Sequence, residues 1–189
     1  MRNYVALRNG VVLLLSLIFT IGFNCQAQTS QPTEYQIKAA FIYNFARFVD
    51  WPTQAFADAS SPLVIGVLGE NVFGNNLEQI INGRSVNGHP LQFKTFDSVM
   101  DATNCQVLFI STSEKSRYSK ILNQLEGTDI LTVSEAGSLS ESDDFIRAGG
   151  MINLVIVEAK VRFKINNDTA KKAGLTISSK LLSLAINNQ

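Results

Sequence analysis

Short, almost wholly apolar runs alternate along this chain with segments that space their apolar residues as a helix does. The clearest runs are Leu63–Leu68, Val107–Ile110 and residues 130–133 and 151–157. Such a run predicts a strand covered on both faces. Because strands separated by helices pair in parallel, we predict an α/β fold: a three-layer sandwich with a mainly parallel sheet and helices on both faces.

The segments between these runs predict the helices. Residues 34–48 place Ile37, Phe41 and Phe45 on one helical face, and Trp51-Pro52 ends the pattern. After the first strand, Asn71 is expected to cap a helix that runs through Ile81, and residues 114–125 predict another.

The C-terminal part of the sheet shows a different pattern. Residues 161–165 alternate apolar and charged side chains directly after the run at 151–157 and a short link. This alternation predicts an antiparallel C-terminal hairpin with one buried face, from which Arg162 and Lys164 project away.

The N-terminus has the pattern of a secretory signal peptide. Arg2 and Arg8 precede an apolar run at residues 11–23. This run is shorter than the roughly 20 residues that a bilayer span requires. Small residues before position 28 predict cleavage after Ala27. We therefore predict a signal peptide at 1–27, a flexible leader at 28–33 and a single domain at 34–187, exported to the periplasm without membrane insertion after cleavage.

Composition narrows the possible partners and chemistry. Loss of residues 1–27 removes two basic side chains and leaves 14 basic against 16 acidic ones, a net charge of −2. This balance does not favour nucleic acid. Cys105 would then be the single cysteine of the mature chain, so an internal disulfide is not possible and a buried structural thiol is favoured over a redox switch.

The residue types needed for catalysis are scarce. The one histidine, His89, follows Asn87-Gly88 and is expected to be a solvated turn residue. A histidine and cysteine zinc site cannot be assembled from so few ligands, and no Gly-x-Ser-x-Gly or Ser-x-x-Lys motif is present. The sequence therefore predicts neither an enzyme nor a cofactor or metal site.

Two further motifs have simpler structural explanations. The loop at residues 66–74 lacks the glycine spacing of a dinucleotide site, and Glu70 would repel phosphate. Glu141, Asp143 and Asp144 could hold a cation, but Ser140 with Asp143 fits a helix capping box better.

A small-ligand site remains an alternative at the loops that follow two core strands. Crevices in α/β folds form where parallel strands end. Gly69, Asn71, Ser111 and Ser113 would line such a crevice, although Ser111 to Ser113 is explained equally well as a helix cap.

Long motifs in both halves of the chain resemble one family of secreted bacterial proteins. They are KAAFIYNFARFVDWP at 38–52, INLV at 152–155, VRFKIN at 161–166 and AGLTISSKLLSLA at 173–185. Together they identify the chain as similar to the YfiR family over most of residues 34–185.

The resemblance implies a regulatory protein without catalytic activity. It implies a periplasmic repressor that binds the periplasmic domain of an inner-membrane diguanylate cyclase, lowers cyclic di-GMP and so reduces biofilm formation. Homodimers also fit the family. Some members carry paired, redox-responsive cysteines, and because only Cys105 would remain here, we do not expect redox control through a disulfide.

The partner-binding surface is predicted from the exposed side of the C-terminal hairpin. Arg162 lies on an edge-like strand beside Phe163 and Ile165, and Trp51 ends the first helix with a large apolar group. We expect these four residues to lie at or under one docking patch. The competing hypothesis is a periplasmic sensor that binds a small ligand at the loops described above.

Overall fold

A computed structural model describes residues 32–186. The predicted signal peptide and all but the last two residues of the predicted leader lie outside this range. The described part contains nine strands: β1 (Val49–Asp50), β2 (Leu63–Leu68), β3 (Ser85–Val86), β4 (His89–Phe96), β5 (Val107–Ile110), β6 (Leu131–Ala136), β7 (Ile152–Val157), β8 (Lys160–Ile165) and β9 (Thr176–Ile177).

Six α-helices and three short 3₁₀ turns connect these strands. The helices are α1 (Glu34–Phe48), α2 (Asn76–Ile81), α3 (Tyr118–Gln124), α4 (Leu139–Arg147), α5 (Asn167–Lys172) and α6 (Ser179–Leu182). The 3₁₀ turns are Thr53–Ala55, Val99–Ala102 and Thr112–Arg117. Within residues 32–186 no helix is both long and apolar enough to cross a membrane.

Seven of the strands form one mixed sheet in the order β3-β4-β2-β5-β6-β7-β8. The five central strands pair in parallel, whereas β3 and β8 pair antiparallel at the two edges. β1 and β9 form a separate antiparallel pair. The predicted mainly parallel α/β fold and its C-terminal hairpin, β7 and β8, are confirmed.

Helices cover both faces of the sheet, because the central strands are apolar on both faces. On one face, Ile65, Val107 and Phe109 pack with residues of α1, α2, α5 and α6. On the other face, Leu108 and Ile110 pack with α3 and with Phe145 of α4. The three layers therefore follow from the strand sequences themselves.

α1 has the bounds that its apolar spacing predicts. Thr33 caps it by accepting a hydrogen bond from the Gln36 amide, and the Gln36 side chain accepts one from the Thr33 amide. The helix ends at Phe48, where the chain turns into β1. Its N-terminal end lies near Glu135 of β6, while its C-terminal end leads towards Trp51.

Two predicted helices begin later than the sequence indicates. Asn71 does not cap α2: its side chain accepts from the Phe73 amide and donates to the Gly74 carbonyl, which closes a turn, and α2 starts only at Asn76. The segment at 114–125 opens with a 3₁₀ turn and becomes an α-helix at Tyr118. Both differences arise because local side-chain hydrogen bonds compete with helix formation.

Candidate functional site

β8 carries three of the four residues predicted to bind a partner, and the structure places them on different faces. Phe163 and Ile165 point towards α1, and Phe163 is only 2% exposed. The Phe163 ring meets Phe41 and Phe45 edge to face, with centroids 5.5 Å and 5.2 Å apart. Arg162 is exposed on the opposite face of the sheet. Phe163 therefore packs β8 against α1, and Arg162 is the side chain that a partner could reach.

Lys164 is buried, whereas the sequence predicts that it is exposed. It lies on the same face as Arg162 but is buried, because its ammonium group donates to Asp143 of α4. This hydrogen bond lowers the pKa of Asp143. The pair fixes α4 against the edge of the sheet.

The neighbouring acidic side chains also have partners within the protein. Asp144 pairs with Arg147, and Glu141 accepts from the Gly137 amide. The helix cap is Ser138, not the predicted Ser140, since the Ser138 hydroxyl accepts from the Glu141 amide. Among residues 32–186 no group of three or more histidine, cysteine, aspartate or glutamate side chains could hold a metal ion.

The outer edge of β8 contacts the C-terminal segment of the described chain. The Asn166 amide donates to the Met151 carbonyl directly before β7, and in an antiparallel pair such bonds alternate along the strand. This alternation turns the backbone groups of Val161, Phe163 and Ile165 away from β7. The Ile186 amide donates to the Phe163 carbonyl at 2.8 Å, so the C-terminal segment binds one of these outward groups.

Trp51 does not neighbour β8. Its indole N–H donates to the Gln106 carbonyl at 3.2 Å, directly before β5. Three strand spacings separate β5 from β8 in the sheet order, which is about 14 Å. The structure therefore does not bring Trp51 together with Arg162, Phe163 and Ile165 in one patch.

Trp51 instead lines a cleft at the end of the sheet where β2 and β4 begin. The cleft has a volume of about 360 Å³, and Phe56, Val86 and His89 also line it. The His89 and Phe56 rings stack at 3.8 Å and 11°, and His89 Nδ1 lies 2.7 Å from the Ser61 carbonyl oxygen. His89 is thus a half-buried, fixed ring at the start of β4, not the solvated turn residue that the sequence predicts.

A comparison with protein families gives a match over residues 35–186, to the family described as YfiR/HmsC-like. The chain belongs to this family. No curated protein matches it. The YfiR/HmsC-like family is regulatory rather than catalytic, and the resemblance that the motifs indicated is confirmed.

The predicted ligand loops of this YfiR/HmsC-like domain lie at the switch point of the sheet, between β2 and β5. The connection after β2 leads towards β4 on one side, and the connection after β5 leads towards β6 on the other side; ligands bind at such a point in many α/β folds. Here the loops bond to each other: the Glu70 amide donates to the Ser113 hydroxyl at 3.1 Å. Gly69 has φ +84°, and a Cβ on it would lie 2.6 Å from that hydroxyl.

The other two residues of the predicted ligand site are also engaged. Ser111 is fully buried and accepts from the Ser113 amide, and Asn71 closes its own turn. The Ser113 and Glu114 side chains fill the space directly over Gly69. The structure brings Gly69, Ser111 and Ser113 together, whereas the sequence predicts one site for all four residues, and the polar side chains of Asn71, Ser111 and Ser113 bind within the protein.

A buried ion pair lies at the opposite end of α1 from Trp51. Lys38 and Glu135 are 3% and 6% exposed and form a salt bridge, with the half-exposed Glu34 as a second partner of Lys38. Burial lowers the pKa of Lys38, but its hydrogen bonds to Glu135 and Glu34 outweigh that effect and raise it. The Tyr35 hydroxyl also donates to Glu135, at 3.4 Å.

Cys105 is buried, and its thiol donates to the Ala102 carbonyl at 3.0 Å. Burial raises the pKa of the thiol from 9.0 to about 12.

Because the thiolate is the reactive form, we expect alkylation of Cys105 by iodoacetamide in the folded protein to be about a thousandfold slower than that of an exposed thiol. Mass spectrometry of samples with and without urea measures the rate of alkylation. Rapid alkylation of the folded protein would contradict the prediction.

Proposed function

We propose that this protein is a periplasmic regulator that binds the periplasmic domain of an inner-membrane diguanylate cyclase and holds the enzyme inactive. Less cyclic di-GMP and weaker biofilm formation follow from that repression. The observation that carries the proposal is the match to the YfiR/HmsC-like family over residues 35–186. The signal-peptide pattern at residues 1–27 agrees with a periplasmic location.

We propose the β8 edge as the docking surface. Lys160 and Arg162 are exposed there, and Ile165 is half-buried. The backbone groups of Val161 and Ile165 point away from β7, on either side of the Phe163 carbonyl that Ile186 binds. An extended segment of a partner can add to such an edge through main-chain hydrogen bonds. The two basic side chains favour a partner segment that is acidic.

Charge reversal at Arg162 tests this surface. We expect Arg162→Glu to weaken binding to the cyclase's periplasmic domain about tenfold or more, because it replaces attraction by repulsion at the edge. The free energy of unfolding should change by less than about 0.5 kcal/mol, since the side chain is exposed. Calorimetric titration measures the affinity, and urea unfolding measures the stability.

Lys120→Glu is the matched control, because Lys120 is exposed on α3 and lies outside the proposed surface. Equal losses of affinity in the two variants would indicate a general charge effect and would count against the β8 edge.

The regulatory role itself is tested in cells. Deletion of the gene should raise intracellular cyclic di-GMP, and further deletion of the candidate cyclase should abolish that rise. Unchanged cyclic di-GMP in the single deletion would overturn the repressor proposal.

A further inference from the structure

The cleft beside Trp51 has the properties of a small-molecule site. Its volume of about 360 Å³ lies within the range of roughly 300–1,000 Å³ that is typical of ligand pockets. Its walls are mostly apolar and aromatic, with Trp51, Phe56 and Val86 on them. Ligand sites of this kind combine an apolar wall with a few polar groups that fix orientation.

The rings that line the cleft are held in place before any ligand arrives. The Trp51 indole donates to the Gln106 carbonyl, and the Phe56 ring stacks on His89. His89 in turn follows a tight turn in which Asn87 and Gly88 have φ of 52° and 90°, a conformation that joins β3 to β4 in a fixed register. A site with fixed walls loses little conformational entropy when a ligand binds.

The acidic groups of the cleft favour a ligand that donates hydrogen bonds. His89 Nδ1 is itself held by the Ser61 carbonyl, which can only accept. Asp50 and Asp58 add two exposed carboxylates at the rim. The described residues that line the cleft include no lysine or arginine.

Asp58 is fixed as an acceptor by its own turn. The Ser60 amide and hydroxyl both donate to its carboxylate, at 2.8 Å and 2.7 Å. These hydrogen bonds, the one from the Ser60 side chain first, lower the pKa of Asp58 and keep the group charged near neutral pH.

We propose that this cleft binds a small organic cation, an ammonium group carried on an apolar or aromatic body. The Trp51 and Phe56 rings take the apolar body and attract the cation through their π faces, while Asp50 and Asp58 bind the ammonium group. This site is distinct from the switch-point loops and from the β8 edge.

Trp51 is the only tryptophan of the chain, so its fluorescence reports on the cleft directly. We would titrate the purified protein with 2-phenylethylammonium and, separately, with the neutral analogue 2-phenylethanol. We expect a saturable fluorescence change with the ammonium probe and about tenfold weaker binding of the alcohol, because a charged hydrogen bond is lost. The titration needs no cyclase, so its result is independent of the proposed regulatory function.

Asp58→Asn is the decisive variant, because asparagine can still accept the two Ser60 hydrogen bonds and so preserves the turn. It should weaken binding of the ammonium probe about tenfold and leave binding of the alcohol unchanged. Asp50→Asn should act in the same direction, and Asp101→Asn, at an exposed site on the 3₁₀ turn Val99–Ala102, should have no effect. No saturable change, equal affinity for the two probes, or an equal effect of Asp101→Asn would each overturn the proposal.

Discussion

Replacement of Lys38 by methionine is expected to lower the free energy of unfolding by about 3–5 kcal/mol at neutral pH. Glu135 is only 6% exposed, and without Lys38 its charge would keep one weak partner among residues 32–186, the Tyr35 hydroxyl at 3.4 Å. A buried carboxylate without a cation is costly because the interior solvates it poorly. Urea unfolding of the variant and of the unmodified protein measures the loss.

Glu34→Gln is the matched control for this prediction. Glu34 binds the same ammonium group, but its side chain is 49% exposed, and exposed ion pairs contribute only about 0–1 kcal/mol. Equal losses for Lys38→Met and Glu34→Gln would contradict the assignment of Lys38–Glu135 as a buried pair that stabilises the fold.

The parts of the fold that sequence could predict are those determined by local patterns. The bounds of α1 follow from its apolar spacing and from Thr33 and Gln36, and β2 and β5 follow from runs that are apolar on both faces. The hairpin of β7 and β8 follows from alternation after a short link. In each case the residues that decide the structure are close together in the chain.

The parts that sequence could not predict depend on contacts between distant segments. Lys164 alternates with apolar residues, a pattern that predicts exposure. It is buried because it pairs with Asp143, which lies 21 residues earlier on α4. The sequence predicts that Trp51 neighbours β8. Trp51 instead binds Gln106, directly before β5, and β6 and β7 lie between β5 and β8. Neither the partner of a buried charge nor the order of parallel strands is encoded in a local pattern.

The Trp51 cleft shows the same limitation at a candidate site. Trp51 and His89 are each conspicuous in the sequence, since the chain has one of each residue type. They meet because Phe56, between β1 and β2, stacks on His89 at the start of β4. The signal that could have linked them is the Asn87-Gly88 turn, which fixes where β4 begins.

Replacement of Phe163 by alanine is expected to lower the free energy of unfolding by about 3–5 kcal/mol, as for other buried aromatic residues. The ring is 2% exposed and makes edge-to-face contacts with Phe41 and Phe45, so the substitution opens a cavity between α1 and β8. Urea unfolding monitored by circular dichroism measures the loss. A partner-binding assay of the same variant should fail at temperatures where the variant is unfolded.

Arg162→Ala separates this structural role from docking. Arg162 is adjacent in the chain but exposed on the other face of the sheet, so its truncation should change the free energy of unfolding by less than about 0.5 kcal/mol. The two substitutions thus test opposite roles on one strand: stability at Phe163 and binding at Arg162. If Phe163→Ala kept full stability and lost only partner binding, Phe163 would be part of the docking surface in solution, and β8 would have to move away from α1 to present it.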